Sequence, residues 1–309
     1  MLANFFGKSK PVNFLVIFAL FLCLFFISLL TNNQHVNNIN FFLKHFGKTL
    51  VLFLILFSVY NFILSKNELT FDNSYAFLFF VLLIGLFPNT ITIDKNFYIN
   101  LTLFLALRKI YSLQSEKSTV KKLFDGGFWL GICFIIEPFS LIFCLLFYAA
   151  IFLHKKITIQ TLLVPMIGFF VPIFLYFTYC FWHDNMVSFL QLFKWFTSYE
   201  FDIYFQIKYS YGIFLVLFLV ATSLLLKTPK ALAVNNTFKG NWILIMFNLL
   251  VTLFLVVLSK HKNGGELLFT FFPISIILAN GFELLQKKWL KETILALLLT
   301  TSFTASLFL

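Results

Sequence analysis

Residues 127–153 read GFWLGICFIIEPFSLIFCLLFYAAIFL, an apolar run of 27 residues that carries Glu137-Pro138 near its middle. A membrane-spanning helix needs about 20 apolar residues, so one long helix with a kink is one interpretation. Proline removes a helix hydrogen bond and disfavours helical geometry in the residue before it. The other interpretation is therefore a pair of short helices that fold back at residues 137–140.

The basic residues on either side of this run distinguish the two interpretations. With the fold-back, 16 of the 23 basic residues fall on the side that holds the N-terminus and seven on the other; with a single span the split is 12 to 11. Cytoplasmic loops of membrane proteins carry an excess of Lys and Arg. The count favours the fold-back, and it predicts a cytoplasmic N-terminus and a C-terminus outside.

The composition of the whole chain is that of a membrane protein. Hydrophobic residues make up 61% of the 309 residues and charged residues 11%, and 48 residues are Phe. Soluble domains have about 45–50% and about 25%, so a soluble enzyme and a disordered chain are excluded. We predict an all-α polytopic integral membrane protein, with residues 1–309 as a single transmembrane domain in contact with membrane lipids. About nine spanning helices are expected besides the hairpin at 127–153, at residues 11–30, 49–64, 74–88, 97–107, 160–182, 209–226, 241–259, 267–284 and 293–309.

The net charge of +11 indicates membrane topology rather than a nucleic-acid partner. The basic residues lie in short loops, and Arg108 is the one Arg beside 22 Lys. Nucleic-acid sites favour Arg for its bidentate geometry. The four cysteines lie in apolar runs without a CxxC pattern, so no metal site is predicted, and the sequence names no cofactor.

Glu137 is the carboxylate that lies deepest within an apolar run. An ionisable residue inside a membrane is costly and suggests a functional site. The alternative is structural, since a Glu near a helix N-terminus is favourable and Glu137 would then cap the second short helix.

Two loops predicted outside hold the other candidate residues. Asp94 stands beside Lys95 in the loop NTITIDKNF, either as a carboxylate facing an outer cavity or as half of an exposed ion pair. Lys260, His261 and Lys262 precede a glycine pair. Lysine binds phosphate as a point charge, so these residues are candidates to hold a lipid phosphate. The alternative is that they extend to lipid headgroups at the membrane surface.

Two segments resemble parts of the C-type glycosyltransferases, polytopic enzymes that use polyprenyl-phosphate sugars. One comprises LALRKIYSL and LFDGGFWLGICFIIEPFSLIFCLLFYAAIFL; the other is SKHKNGGELLFTFFPISIILANGFE. The whole chain, from FFGKSKPVNFLVIF onward, also resembles an uncharacterised family of bacterial polytopic inner-membrane proteins. These resemblances imply a bacterial inner-membrane location and a glycosyltransferase-like helix arrangement.

Three functions are compatible with these features. The first is action on, or binding of, a polyprenyl-phosphate-linked sugar at the outer face, with Asp94 as catalytic base and residues 260–262 holding the phosphate. The second is a transporter, for which Glu137-Pro138 supplies one broken helix but no paired repeat is visible. The third is a non-catalytic subunit that binds other membrane subunits of an envelope assembly. A non-catalytic or glycosyltransferase-like membrane protein is the preferred prediction.

Overall fold

The computed structural model describes residues 2–31, 39–194, 201–233, 237–259 and 262–308, and within them the fold is all helical. Short 3-10 segments join several of the helices. In chain order the helices are α1 (Leu2–Phe6), α2 (Pro11–Thr31), α3 (Ile39–Lys66), α4 (Tyr75–Leu86), α5 (Lys95–Tyr111), α6 (Thr119–Ile136), α7 (Cys144–Leu153), α8 (Ile159–Trp182), α9 (Met186–Gln191), α10 (Asp202–Phe205), α11 (Ile207–Ala233), α12 (Thr237–Leu258), α13 (Leu268–Glu283) and α14 (Lys288–Phe308).

Seven helices in the described part of the chain are long and apolar enough to cross a membrane: α2, α3, α8, α11, α12, α13 with the 3-10 turn before it, and α14. This is fewer than the nine predicted. The run at 74–88 forms α4, whose 12 residues extend about 18 Å against a hydrocarbon core of about 30 Å, and the run at 97–107 lies within the 17 residues of α5. All 12 residues of α4 are buried. Its apolar composition therefore reflects a position inside the protein.

The chain reverses direction at Glu137, as the fold-back interpretation predicts. Helix α6 ends at Ile136, and Pro138 starts a 3-10 segment that leads into α7. A Cβ atom placed on Gly126 would lie 2.6 Å from the ring of Phe147, whereas a straight helix would separate these two residues by about 31 Å. The hairpin prediction for this run is confirmed by that contact.

Glu137 occupies the N-cap position of the 3-10 segment that opens the second short helix, but its side chain makes no capping hydrogen bond there. Its backbone ends α6, with its N–H donating to the carbonyl of Cys133 at 2.7 Å. Helix α7 starts only at Cys144, after the intervening 3-10 segment, and that segment has no side-chain cap.

Glycines let the hairpin pack closely on α8. A Cβ atom on Gly127 would lie 2.2 Å from the carbonyl oxygen of Pro165, and one on Gly131 would lie 2.3 Å from the carbonyl oxygen of Phe169. Gly168 of α8 faces the carbonyl oxygen of Phe124 in the same way. Any side chain at these positions would force the two backbones apart.

One end of the helix bundle contains the N-terminal residues and the loops that contact them, and we call it the lysine-rich face. The N–H of Ser74 donates to the carbonyl of Phe6 at 3.0 Å. Asn241 Nδ2 donates to the carbonyl of Asn67 and to Gln114 Oε1. The 16 basic residues predicted to share one compartment all lie in its segments, which are 2–13, 64–75, 108–122, 154–158, 227–233, 237–241 and 283–292.

The opposite end, the hairpin-tip face, contains the reversal at Glu137. The segments before and after the hairpin both lie at the lysine-rich face, where Lys156 Nζ donates to the carbonyl of Ser115 at 2.8 Å. The segments of the hairpin-tip face are 87–96, 137–140, 183–194, 201–209 and 262–267.

Candidate functional site

Three segments of the hairpin-tip face, far apart in sequence, meet in one polar cluster. Asp94 Oδ2 accepts a hydrogen bond from Asn263 Nδ2 at 3.1 Å, across 169 residues. Lys95 Nζ lies 2.9 Å from Glu137 Oε2. The segment of Asp94 and Lys95 therefore contacts both the tip of the hairpin and the segment before α13.

Asp94 holds the start of α5. Its backbone is extended, and its Oδ1 accepts the N–H of Phe97 at 3.2 Å, which is the geometry of a helix N-cap. Because Oδ2 accepts from Asn263, both carboxylate oxygens already bind groups of the protein. The geometry identifies Asp94 as a residue that links two loops, and its predicted role as a base is not tested by it.

Glu137 is buried, with 3% of its surface exposed, and its Oε2 is paired with Lys95, whose side chain is 44% exposed. Its second oxygen, Oε1, has no hydrogen-bond partner among the residues that the structure describes. The hydroxyl of Ser140, one 3-10 turn further on, is also buried without a partner in that part of the chain. Buried polar groups in folded proteins are nearly always hydrogen-bonded, so these two atoms offer unused binding capacity.

Glu266 organises the segment before α13. Its carboxylate accepts the N–H groups of Asn263 and Gly264, both at 3.2 Å, and the hydroxyl of Tyr204. Gly264 has a φ of +87°, a left-handed conformation that glycine adopts without strain. Burial, and then the charge of Glu266, raise the pKa of Tyr204. Tyr204 therefore stays neutral and donates to the Glu266 carboxylate.

Of the three predicted phosphate-binding residues, only Lys262 belongs to the described part of the chain; Lys260 and His261 lie outside it. Lys262 is 9% exposed, and its Nζ lies 4.1 Å from the centroid of the Phe201 ring. It precedes Asn263, the partner of Asp94. The backbone at Lys262 is therefore brought close to Asp94.

Sequence reasoning missed the amides and hydroxyls that complete the cluster. Asn89 Nδ2 donates to the carbonyl of Asn263 at 2.7 Å and to the hydroxyl of Tyr209, and Asn96 Nδ2 lies 3.4 Å from Asn263 Oδ1. The available signal was the density of Asn in loops that otherwise hold few polar residues.

Large apolar side chains cover the outside of several candidate spans, as on a surface in contact with lipid. They include Phe170, Phe174, Phe214, Phe218 and Leu225, all more than half exposed. The fold thus defines a helical membrane protein of unknown activity, with seven candidate spans in the described part of the chain. The model of a family of unknown function, DUF6427, matches residues 8–305, and the chain belongs to that family. No curated protein and no solved structure matches the chain.

Proposed function

We propose that this protein is a multi-pass membrane protein that binds the sugar-phosphate headgroup of a polyprenyl-phosphate-linked sugar at the hairpin-tip face. The observation that carries the proposal is that the neighbours Asp94 and Lys95 link the segment 262–266 to Glu137, whose Oε1 is buried and unpaired among the described residues. Sugar hydroxyls both donate and accept hydrogen bonds. A cluster of carboxylates, Asn side chains and Tyr hydroxyls supplies the matching partners.

The charges favour a headgroup that combines hydroxyls with a phosphate. Glu137 Oε1 and the Ser140 hydroxyl can bind sugar hydroxyls, while Lys95, which is partly exposed, can reach a phosphate as a point charge. The apolar spans would hold the polyprenyl chain in the bilayer beside the site. On this proposal the hairpin-tip face is the outer face of the inner membrane, in keeping with the excess of Lys at the opposite end.

The binding form of this proposal, a non-catalytic protein, is supported by Asp94. Both oxygens of Asp94 accept a hydrogen bond from the protein, which stabilises the carboxylate and makes it a weaker base toward a substrate proton. A non-catalytic subunit of an envelope assembly would need only the binding step. A glycosyltransferase-like reaction would require a remaining lone pair of Asp94 to reach the substrate, and Asp94→Asn tests whether that carboxylate is needed.

The test measures binding of a short-chain polyprenyl-phosphate sugar to the purified protein in nanodiscs, with the same polyprenyl phosphate without sugar as comparator. We expect the sugar to strengthen binding, and Glu137→Gln to weaken it about tenfold, since one charge-assisted hydrogen bond is lost. Asp184→Asn, an exposed carboxylate on the same face, is the matched control and should bind as the wild type does. Equal binding with and without the sugar, or unchanged binding by Glu137→Gln, would overturn the proposal.

Asp94→Asn separates the two forms of the proposal in the same preparation. If the protein transfers the sugar with Asp94 as base, Asp94→Asn should bind the lipid normally and form no product. If the protein only binds, the wild type forms no product and Asp94→Asn binds as the wild type does.

A further inference from the structure

A cavity of about 1030 Å³ lies at the lysine-rich face, at the opposite end of the molecule from the polar cluster. It opens between the start of α2, the loop after α3 and the facing parts of α11 and α12. Exposed charges of both signs lie at its rim: Lys10, Lys230, Glu68 and Asp72. Because these four are exposed to solvent, the buried groups deeper in the cavity decide what it binds.

Lys227 is the buried cation of this cavity. It is 4% exposed, and its Nζ lies 4.5 Å from the centroid of the Phe71 ring and 4.9 Å from that of Phe238. No carboxylate among the described residues lies within the 4 Å of an ion pair, and Glu283 acts on Lys227 only from further away. A buried ammonium without a hydrogen-bonded anion is costly, and the two rings offset only part of that cost.

Asn241 supplies an acceptor in the same cavity. It is 1% exposed, and its Nδ2 is bound to the carbonyl of Asn67 and to Gln114. Its Oδ1 is buried without a hydrogen-bond partner in the part of the chain that the structure describes. The cavity thus presents one cation that needs an acceptor and one amide oxygen that needs a donor.

We infer that this cavity is a second binding site, for a phosphate group attached to a hydroxylated carbon skeleton. The phosphate accepts from Lys227, and a neighbouring hydroxyl donates to Asn241 Oδ1. Lys227 lies six residues, or about 9 Å along the helix axis, before the end of the candidate span Tyr209–Ala233. The phosphate can come from the glycerol headgroup of an anionic lipid or from a soluble phosphate ester.

Two arms of one experiment distinguish these sources. The protein is reconstituted in nanodiscs of phosphatidylcholine, and its melting temperature is measured with glycerol 3-phosphate added, or with phosphatidylglycerol replacing a third of the lipid. We expect one arm to raise the melting temperature of the wild type. The control variant Lys117→Met, which changes an exposed lysine of the same face outside the cavity, should show the same increase. In Lys227→Met, which keeps the apolar stem, the same arm should have no effect.

A second measurement on the wild-type protein keeps the inference testable if Lys227→Met does not fold. Acetylation by an amine-reactive reagent is followed by mass spectrometry, and the ligand of the successful arm should slow modification of Lys227 at least fivefold while leaving Lys117 unchanged. The inference is overturned if neither arm raises the melting temperature, if Lys227→Met responds as the wild type does, or if Lys227 gains no protection. The site in the hairpin-tip cluster is unaffected by any of these results.

Discussion

The two ends of the bundle satisfy their backbone groups with charges of opposite sign. At the hairpin-tip face, Asp94 and Glu266 accept backbone N–H groups. At the lysine-rich face, Lys122 and Lys156 donate to the carbonyls of the loop after α5. Helix α5 runs between the two, with Asp94 at its start and Lys109 in its last turn, which is the arrangement that a helix dipole favours. The charges at the two ends of α5 therefore match its dipole, and each end of the bundle also holds buried polar atoms that have no partner among the described residues.

The sharpest test of this comparison is whether the two ends lie on opposite sides of a membrane. Cysteines at positions 122, 155 and 184 are introduced singly, with the four native cysteines replaced by Ala, and labelled with an impermeant maleimide in oriented vesicles. We expect positions 122 and 155 to label together, and position 184 to label only in vesicles of the reverse orientation, an all-or-none difference. Labelling of positions 122 and 155 from opposite sides would contradict the arrangement of both faces.

The separation of the two ends also depends on the close packing of the hairpin on α8. Gly127→Ala places a methyl group against the carbonyl of Pro165 and should lower the free energy of unfolding by about 3 kcal/mol. Gly47→Ala is the matched control, because no atom lies within 4 Å of its new Cβ; it should stabilise α3 by up to about 1 kcal/mol. Thermal unfolding in detergent measures both, and equal melting temperatures would show that this contact is not tight.

A smaller effect is expected from the carboxylate that organises the hairpin-tip face. In Glu266→Gln a single oxygen remains to accept the N–H groups of Asn263 and Gly264, which now bind two different oxygens. The free energy of unfolding should therefore fall by roughly 2 kcal/mol. Tyr204→Phe removes one donor to the same carboxylate and should cost about 1 kcal/mol. Chemical denaturation compares them, and a larger loss in Tyr204→Phe than in Glu266→Gln would assign the anchoring role to the tyrosine.

The smallest effect concerns the N-cap of α5. Asp94→Ala should cost about 1 kcal/mol of unfolding free energy, because the N–H of Phe97 loses its acceptor. Asn is also a good N-cap, so Asp94→Asn should recover most of that loss. If both variants unfold as the wild type does, Asp94 has no structural role, and its carboxylate is then more readily explained by ligand contact.

Several features were predictable because their signals are local. Apolar composition identified a helical membrane protein, and Pro138 within a run of 27 apolar residues, together with the positions of the lysines, predicted the reversal at 137–140. Proline restricts the backbone at any position in a chain. Lys and Arg favour cytoplasmic loops whatever the tertiary contacts of those loops are. The count of about nine spans is not confirmed, because a helix such as α4 is equally apolar whether lipid or protein surrounds it.

Only the tertiary structure decided which polar residues meet. The contact between Asp94 and Asn263, the ion pair of Lys95 with Glu137, and the cavity around Lys227 each join segments distant in sequence. Composition and periodicity describe one segment at a time, whereas the partners of a loop residue depend on how the helices pack. The sequence by itself therefore determined that this is a helical membrane protein whose chain turns back at residues 137–140. The packing of the helices determined which polar residues come together.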